Sequence, residues 1–180
     1  RTPPAPRGVH LVALAPPTPP WQPDAAPVDR PVPLRAEIDA AALDADGLAL
    51  LRRLAPRIVE LVVTGGDGFA WAEVPPLPAV TSLRLDDPGA DSADAAVVLR
   101  RVPWVEQVLL HETAVDAALM RPLLGLPALA RVTVWGTGLD APRVRTTFAA
   151  VAPSVELVGA GSPPAGPFGD PAADRHAARD

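Results

Sequence analysis

Cysteine, lysine, asparagine and tyrosine are all absent from this chain of 180 residues. Without cysteine, the chain can form no disulfide, no thiolate metal site and no covalent attachment to haem. We therefore expect no cofactor in this chain. All 16 basic residues are arginine, and GC-biased coding accounts for that choice as well as a functional demand does.

Long apolar runs and an excess of positive charge are also missing. No apolar stretch approaches the roughly 20 residues of a transmembrane helix, so we expect no direct membrane insertion by this segment. The formal net charge is −5 and the isoelectric point is about 5.1, which argues against nucleic acid as a partner. The chain starts at Arg1 and shows no signal peptide, so we expect a processed product or a domain of a longer protein.

Proline, in contrast, is abundant and divides the chain. Prolines are concentrated in residues 16–33, where they favour an extended, polyproline-like conformation. Just before it, "GVHLVALA" at residues 8–15 alternates in a way that predicts one strand. We predict a Pro-rich N-terminal segment (1–33), a central domain (34–158) and a flexible Gly/Pro/Ala tail (159–180).

The central domain contains an internal repeat of about 24 residues, within the range of roughly 20–29 residues that is typical of leucine-rich repeats. Each unit opens with apolar–x–x–apolar–x–apolar, which predicts a short strand with one buried face. A turn, apolar residues at helical spacing and a closing proline follow in most units. The units begin at Leu34, Ile58, Val80, Val105 and Leu129, and a closing strand begins at Val155.

This pattern predicts an α/β fold: a leucine-rich repeat solenoid of about five repeats, with parallel strands on a concave face and short helices on a convex face. Aspartates in the turns are placed to cap the helices, because a carboxylate accepts free N–H groups at a helix start. The predicted N-caps are Asp44, Asp91, Asp116 and Asp140.

Three local features refine this prediction. The second unit carries two adjacent prolines, so we expect an irregular segment there, with Phe69 and Trp71 filling the place of a helix. The hydroxyls of Thr113 and Thr137 are expected to replace hydrogen bonds of the usual Asn or Cys ladder. Trp104 is expected to pack at a corner before a strand.

The chain resembles a bacterial subset of leucine-rich repeats, the region that ends membrane-anchored proteins with a planctomycete-type c-type cytochrome domain. The matching stretches, in the same order, are "GVHLVALA" (8–15), "LAPRIVELVVTGG" (54–66) and "VWGTGLDAPRV" (134–144). The resemblance implies a location in the bacterial cell envelope or periplasm, and a parent protein whose haem-bearing domain lies elsewhere. No C-x-x-C-H motif is present, so the haem function cannot be assigned to any residue of this chain.

The strand positions that do not face the core are the candidates for function. In a leucine-rich repeat they line the concave face in stripes, with neighbouring strands about 5 Å apart. One cluster mixes an aromatic anchor, charges and an apolar residue, as interface hot spots do. The predicted binding residues are Arg84, Asp86, Leu109, His111, Arg131 and Trp135.

We therefore predict a non-catalytic protein-interaction module whose partner is another protein or a neighbouring domain of the parent. The alternatives are a structural spacer in an electron-transfer assembly and an extracellular module that binds polysaccharide, with Trp135 as a stacking platform. We predict neither a metal site nor catalysis. The histidines (His10, His111, His176) are not at ligand spacing, and no serine lies in a G-x-S-x-G motif.

Overall fold

The computed structural model describes residues 6–14, 31–65, 71–86, 92–113, 117–135, 146 and 149–160. They form an α/β structure with one seven-stranded sheet, in which the strands lie side by side in chain order. The strands are β1 (Val9–Ala13), β2 (Leu34–Asp39), β3 (Ile58–Thr64), β4 (Ser82–Asp86), β5 (Gln107–His111), β6 (Arg131–Trp135) and β7 (Glu156–Ala160). Strands β2 to β7 are parallel, and β1 is antiparallel to β2, so the sheet is mixed.

The parallel strands pair in the register that the repeat predicts. Apolar residues at alternate positions face one side of the sheet and stack on their counterparts one repeat away. Leu61, for example, pairs with Leu83, which pairs with Val108. The sheet therefore contributes two stacked columns to the core, Ala36, Leu61, Leu83, Val108 and Val132, and Ile38, Val63, Leu85, Leu110 and Val134.

Strand β1 lies within residues 8–15, where alternation predicts a strand, and it covers the β2 edge of the sheet. Hydrogen bonds from Asp39 N to Gly8 O (2.9 Å) and from Leu14 N to Pro33 O (3.0 Å) extend the pairing at both ends. Gly8 has a φ of 71°, and a Cβ there would lie 2.4 Å from Leu43 N. Glycine is therefore required where the chain enters β1.

Short helices occupy the connections between the parallel strands. They are α1 (Ala45–Leu54) after β2, α2 (Ser92–Leu99) after β4 and α3 (Ala117–Leu124) after β5. Residues 149–151 are helical in the connection from β6 to β7. The prediction for Asp44 is confirmed, because its carboxylate accepts a hydrogen bond from Gly47 N at 2.8 Å. Asp91, Asp116 and Asp140 lie outside the described residues.

The connection from β3 to β4 is irregular, as the paired prolines predict. Its described residues, 71–81, contain a 3-10 turn at Trp71–Glu73 and no α-helix. Trp71 is buried in the core, which confirms its predicted place. Phe69 lies outside the described residues.

Two further local predictions have different outcomes. The Thr113 hydroxyl lies 3.4 Å from Leu85 O of the neighbouring repeat and closer, 3.0 Å, to His111 O, so its one proton is shared between the two carbonyls. Thr137 lies outside the described residues. The prediction for Trp104 is wrong, because its side chain is 56% exposed. Val102 and Val105 already occupy the core on either side of it, and the turn at 103–104 directs Trp104 to solvent.

The ends of the central domain differ slightly from the predicted boundaries. Strand β7 ends at Ala160, beyond residue 158, and β1 joins the sheet from the N-terminal segment. Within the described residues, no helix has the length and hydrophobicity needed to cross a bilayer.

Candidate functional site

The side of the sheet opposite the core carries three columns of side chains, which we call the polar face. The alternation that buries one set of side chains directs these to the other side. Their register matches the predicted columns along β2 to β6. The columns are Arg35, Glu60, Ser82, Gln107 and Arg131; Glu37, Val62, Arg84, Leu109 and Thr133; and Asp39, Thr64, Asp86, His111 and Trp135.

The third column ends the strands, so it lies at the carboxyl edge of the parallel sheet. Asp86, His111 and Trp135 are the last residues of β4, β5 and β6, and they pair in that order. In parallel α/β folds, ligand-binding side chains concentrate at this edge, where the strands run into loops. The position alone makes this column the first place to look for function.

Four predicted site residues form one connected cluster, which we call the Asp86 cluster: Arg84, Asp86, His111 and Trp135. Arg84 Nη2 donates to Asp86 Oδ2 at 2.6 Å, and His111 Nδ1 contacts Asp86 Oδ1. The His111 and Trp135 rings stack with centroids 4.2 Å apart and planes 22° apart. Each oxygen of Asp86 is therefore engaged, and the carboxylate links a guanidinium to an aromatic stack.

The contact with Asp86 also orients the His111 ring. Because a carboxylate accepts, the neutral imidazole carries its proton on Nδ1, which leaves Nε2 as an acceptor. Nε2 lies 3.9 Å from Glu112 Oε1. An imidazole held in this way can accept a hydrogen bond from a ligand through Nε2, and it can stack on an aromatic group.

The backbone beside the cluster has an unusual conformation. Glu112 follows β5 with a φ of 51°, in the left-handed region that non-glycine residues seldom adopt. Hydrogen bonds hold this turn, from Glu112 N to Trp135 O (3.0 Å) and from the Thr113 hydroxyl to His111 O (3.0 Å). Such conformations cluster at functional sites, where the surrounding structure over-determines them.

The middle of the polar face is buried, which the prediction of a binding surface does not anticipate. Arg84 and Leu109 are each 3% exposed and Asp86 is 9% exposed. Leu109 forms a small apolar cluster with Val62, separate from the main core. Arg84 lies between these two side chains in the register, and its contact with Asp86 holds it along the strand. These residues form the buried part of the site, whereas His111 and Trp135 remain partly exposed.

Arg131 is not part of the Asp86 cluster. It starts β6, whereas Trp135 ends that strand. Its Nε donates to Glu156 Oε2 at 2.7 Å, and the side chains are 50% and 57% exposed. Exposed pairs of this kind contribute about 0–1 kcal/mol. The structure thus separates Arg131 from the cluster in which the sequence pattern grouped it.

A cleft of about 650 Å³ opens on the polar face beside the Asp86 cluster, among strands β1 to β4. Its volume falls within the range of roughly 300–1,000 Å³ for sites that hold small molecules. Val62 contributes apolar surface, and Arg84 and Asp86 reach the cleft from the cluster. Its charged and titratable lining consists of His10, Arg35, Glu37, Asp39, Arg84 and Asp86.

Glu37 is engaged on both oxygens at the β1 side of the cleft. Arg35 Nη2 lies 2.9 Å from Glu37 Oε1, and His10 Nδ1 lies 3.5 Å from Glu37 Oε2. Asp39 accepts a hydrogen bond from Ala41 N at 3.0 Å. With histidine neutral, the three carboxylates and two guanidinium groups of the lining leave one negative formal charge.

The sequence pattern did not reveal this cleft, because β1 is not a repeat. Alternation in "GVHLVALA" places His10 and Val12 on one side of a strand, but nothing in the repeat period indicates that this strand lies antiparallel to β2. The observed pairing of His10 with Glu37 and of Val12 with Arg35 brings both onto the polar face. No group of three or more His, Cys, Asp or Glu side chains in the described residues is placed to hold a metal ion.

The chain matches no protein-family model, no curated protein and no solved structure. Its function must therefore be inferred from its own residues.

Proposed function

We propose that this chain is a non-catalytic protein-interaction module, a leucine-rich repeat solenoid that binds a protein partner or a neighbouring domain of its parent through the polar face. One observation carries the proposal. The Asp86 cluster fixes a partly exposed Trp135–His111 stack at the carboxyl edge of the sheet, beside a cleft.

The repeat architecture has support at two levels. The sequence repeats every 24 residues or so, within the leucine-rich repeat range of roughly 20–29 residues. Each parallel strand pairs with the residues one repeat away, and most connections carry a short helix. In such repeats the side chains that do not face the core provide an extended binding surface.

The energetics of the Asp86 cluster favour a role in binding. Burying an ion pair such as Arg84–Asp86 is often no more favourable than burying apolar residues of similar volume. The core lies on the other side of the sheet and does not need this pair. What the pair does provide is a fixed Asp86, which holds His111, which in turn stacks on Trp135. A pre-ordered aromatic anchor lowers the entropy lost when a partner binds, and tryptophan is enriched at interface hot spots.

We further propose that the parent is a bacterial cell-envelope protein in which a c-type cytochrome domain lies outside this chain, with the module in the periplasm. The support is the resemblance of residues 8–15, 54–66 and 134–144 to the repeat region of such proteins. Determining the sequence of the complete gene tests this. A parent that lacks both a C-x-x-C-H motif and a membrane anchor contradicts it.

Two tryptophans at opposite ends of the strands allow a matched test of the interaction surface. Trp135 ends β6 on the polar face, whereas Trp104 is an exposed residue in the turn before β5. The wild-type chain, Trp135→Ala and Trp104→Ala are immobilised at equal density, and proteins captured from an extract of the source organism are quantified by mass spectrometry. Thermal unfolding of each variant verifies that it is folded.

We expect a partner whose recovery falls at least about tenfold with Trp135→Ala, a loss typical of a hot-spot residue, and stays unchanged with Trp104→Ala. If both variants capture equal amounts of every partner, or if only Trp104→Ala captures less, the polar face is not the interaction surface. The spacer alternative predicts that no captured protein depends on either residue.

A further inference from the structure

The carboxylates of the polar face outnumber its arginines, and one carboxylate without an arginine partner, Asp39, lines the cleft. Three of its arginines are each paired with a carboxylate of the same face: Arg35–Glu37, Arg84–Asp86 and Arg131–Glu156. Within the described residues, Asp39 and Glu60 have no ion-pair partner. Asp39 lines the cleft and is exposed, so the charge left to attract a ligand there is negative.

Asp39 is also held in place for a ligand. Its Oδ1 accepts the Ala41 N–H at 3.0 Å, which fixes the rotamer of the side chain. Asp39 and Glu37 are two residues apart in β2, so both side chains face the cleft. A planar group with several N–H donors can bond a carboxylate such as that of Asp39, and the guanidinium of arginine has this geometry.

The rest of the cleft suits the stem of a long side chain. Val12, which is exposed, contributes apolar surface to the cleft, and the buried Val62 lines it. The aliphatic part of arginine can lie on such surface while its head remains polar. The volume of about 650 Å³ leaves room for the backbone on both sides of the residue, as a bound peptide segment requires.

The geometry points to a partner of defined chemistry: the cleft between β1 and β4 binds an arginine side chain from a basic segment of the partner protein, with Asp39 as its principal acceptor. This inference rests on the proposed interaction function and identifies the chemistry of the partner. A polysaccharide fits less well, because its hydroxyls do not neutralise Asp39. In addition, the described lining contains no aromatic ring besides the imidazole of His10.

A shape-matched pair of blocked peptides tests the inference on the full chain. The probes are acetyl-Gly-Arg-Gly-amide and acetyl-Gly-citrulline-Gly-amide, which have nearly the same shape but differ in charge. Both are titrated into isotopically labelled protein, and backbone amide shifts are followed by NMR. The arginine peptide is expected to shift amides of β2 and β3 saturably, with at least about tenfold higher affinity than the citrulline peptide, because a charge-assisted hydrogen bond is roughly twice as strong as a neutral one.

Two amide variants separate Asp39 from the overall charge of the protein. Asp39→Asn keeps an oxygen for Ala41 N and removes the charge, and Glu73→Gln removes an exposed charge from the 3-10 turn before β4. Asp39→Asn is expected to weaken binding of the arginine peptide at least about fivefold, whereas Glu73→Gln leaves it unchanged. Raising the ionic strength from 0.05 to about 0.5 M is expected to weaken binding, because the screening length shortens.

Three results overturn the inference: equal binding of both peptides, unchanged affinity of Asp39→Asn, or shifts of the same amides by a β-1,4-glucan tetrasaccharide and not by the arginine peptide. The proposed function is tested by a different result, the dependence of partner capture on Trp135. If capture of a partner depends on Trp135 while the arginine peptide does not bind, the interaction surface stands and only the chemistry assigned to its partner is wrong.

Discussion

Replacing Asp86 by asparagine tests whether the Asp86 cluster behaves as a buried charge network. The substitution keeps the size of the side chain and removes its charge. Asp86 accepts from Arg84 through Oδ2 at 2.6 Å and contacts His111 through Oδ1. The side chains of Arg84 and Asp86 are 4% and 11% exposed, so solvent screens their interaction only weakly.

The geometry sets the expected magnitude. Removing one partner of a buried ion pair costs about 3–5 kcal/mol, because the remaining charge stays buried. Asparagine can still offer its oxygen to Arg84, and its amide can donate to His111 Nδ1 if the imidazole proton moves to Nε2. We therefore expect a loss of about 3 kcal/mol in the free energy of unfolding for Asp86→Asn, and a loss near the upper end of that range for Asp86→Ala.

The same chemical change at an exposed pair provides the control. Arg131 and Glu156 are 2.7 Å apart, close to the Arg84–Asp86 distance, but their side chains are 50% and 57% exposed. Glu156→Gln is therefore expected to cost less than about 1 kcal/mol. Urea unfolding followed by far-UV circular dichroism measures each value, and nitrogen NMR of His111 reports the expected change of tautomer in Asp86→Asn.

The test compares the loss of unfolding free energy at the buried Arg84–Asp86 pair with the loss at the exposed Arg131–Glu156 pair. If Asp86→Asn and Glu156→Gln each cost less than about 1 kcal/mol, burial does not set the strength of the Arg84–Asp86 interaction. The cluster is then not the rigid support that the proposed function requires. A His111 tautomer that stays on Nδ1 in the asparagine variant contradicts the assigned hydrogen bonding.

Leu83→Ala is expected to lower the free energy of unfolding by about 2–5 kcal/mol in the same urea assay, because Leu83 is fully buried in the middle of a core column. A loss below about 1 kcal/mol contradicts close packing there. Asp44→Ala removes the N-cap bond to Gly47 N and is expected to cost about 1 kcal/mol, whereas Asp44→Asn, which can still cap, should restore most of it in thermal unfolding. Gly8→Ala places a methyl group 2.4 Å from Leu43 N at a positive φ, so amide hydrogen exchange in β1 is expected to accelerate. Unchanged protection of the β1 amides contradicts the requirement for glycine at the start of this strand.

The sequence is sufficient to predict the register of the parallel strands. The repeated apolar–x–x–apolar–x–apolar spacing assigns Leu83 and Leu85, and Val108 and Leu110, to the core face, and a slip of one residue moves these side chains to the other face. Leu83 with Val108 and Leu85 with Leu110 therefore pair as predicted. The cap at Asp44 is predictable for a similar reason, because local spacing alone determines it.

Features that depend on neighbours outside the repeat are not predictable in this way. The antiparallel pairing of β1 follows from how the N-terminal segment returns to the sheet, and no periodicity encodes that path. The burial of Arg84 and Leu109 depends on the side chains of the adjacent strands as well as on their own position in a strand. Trp104 is exposed because two valines already occupy the nearby core.

The strands lie side by side in the same order as in the chain, and this order affects how the sheet responds to a pulling force. Each strand exchanges backbone hydrogen bonds only with the strands before and after it. A force that pulls the two edge strands apart in the plane of the sheet therefore loads the strand-to-strand contacts in series, so the weakest contact gives way first. In a stretching experiment, we expect extension in several small steps, with each step releasing about one repeat of chain.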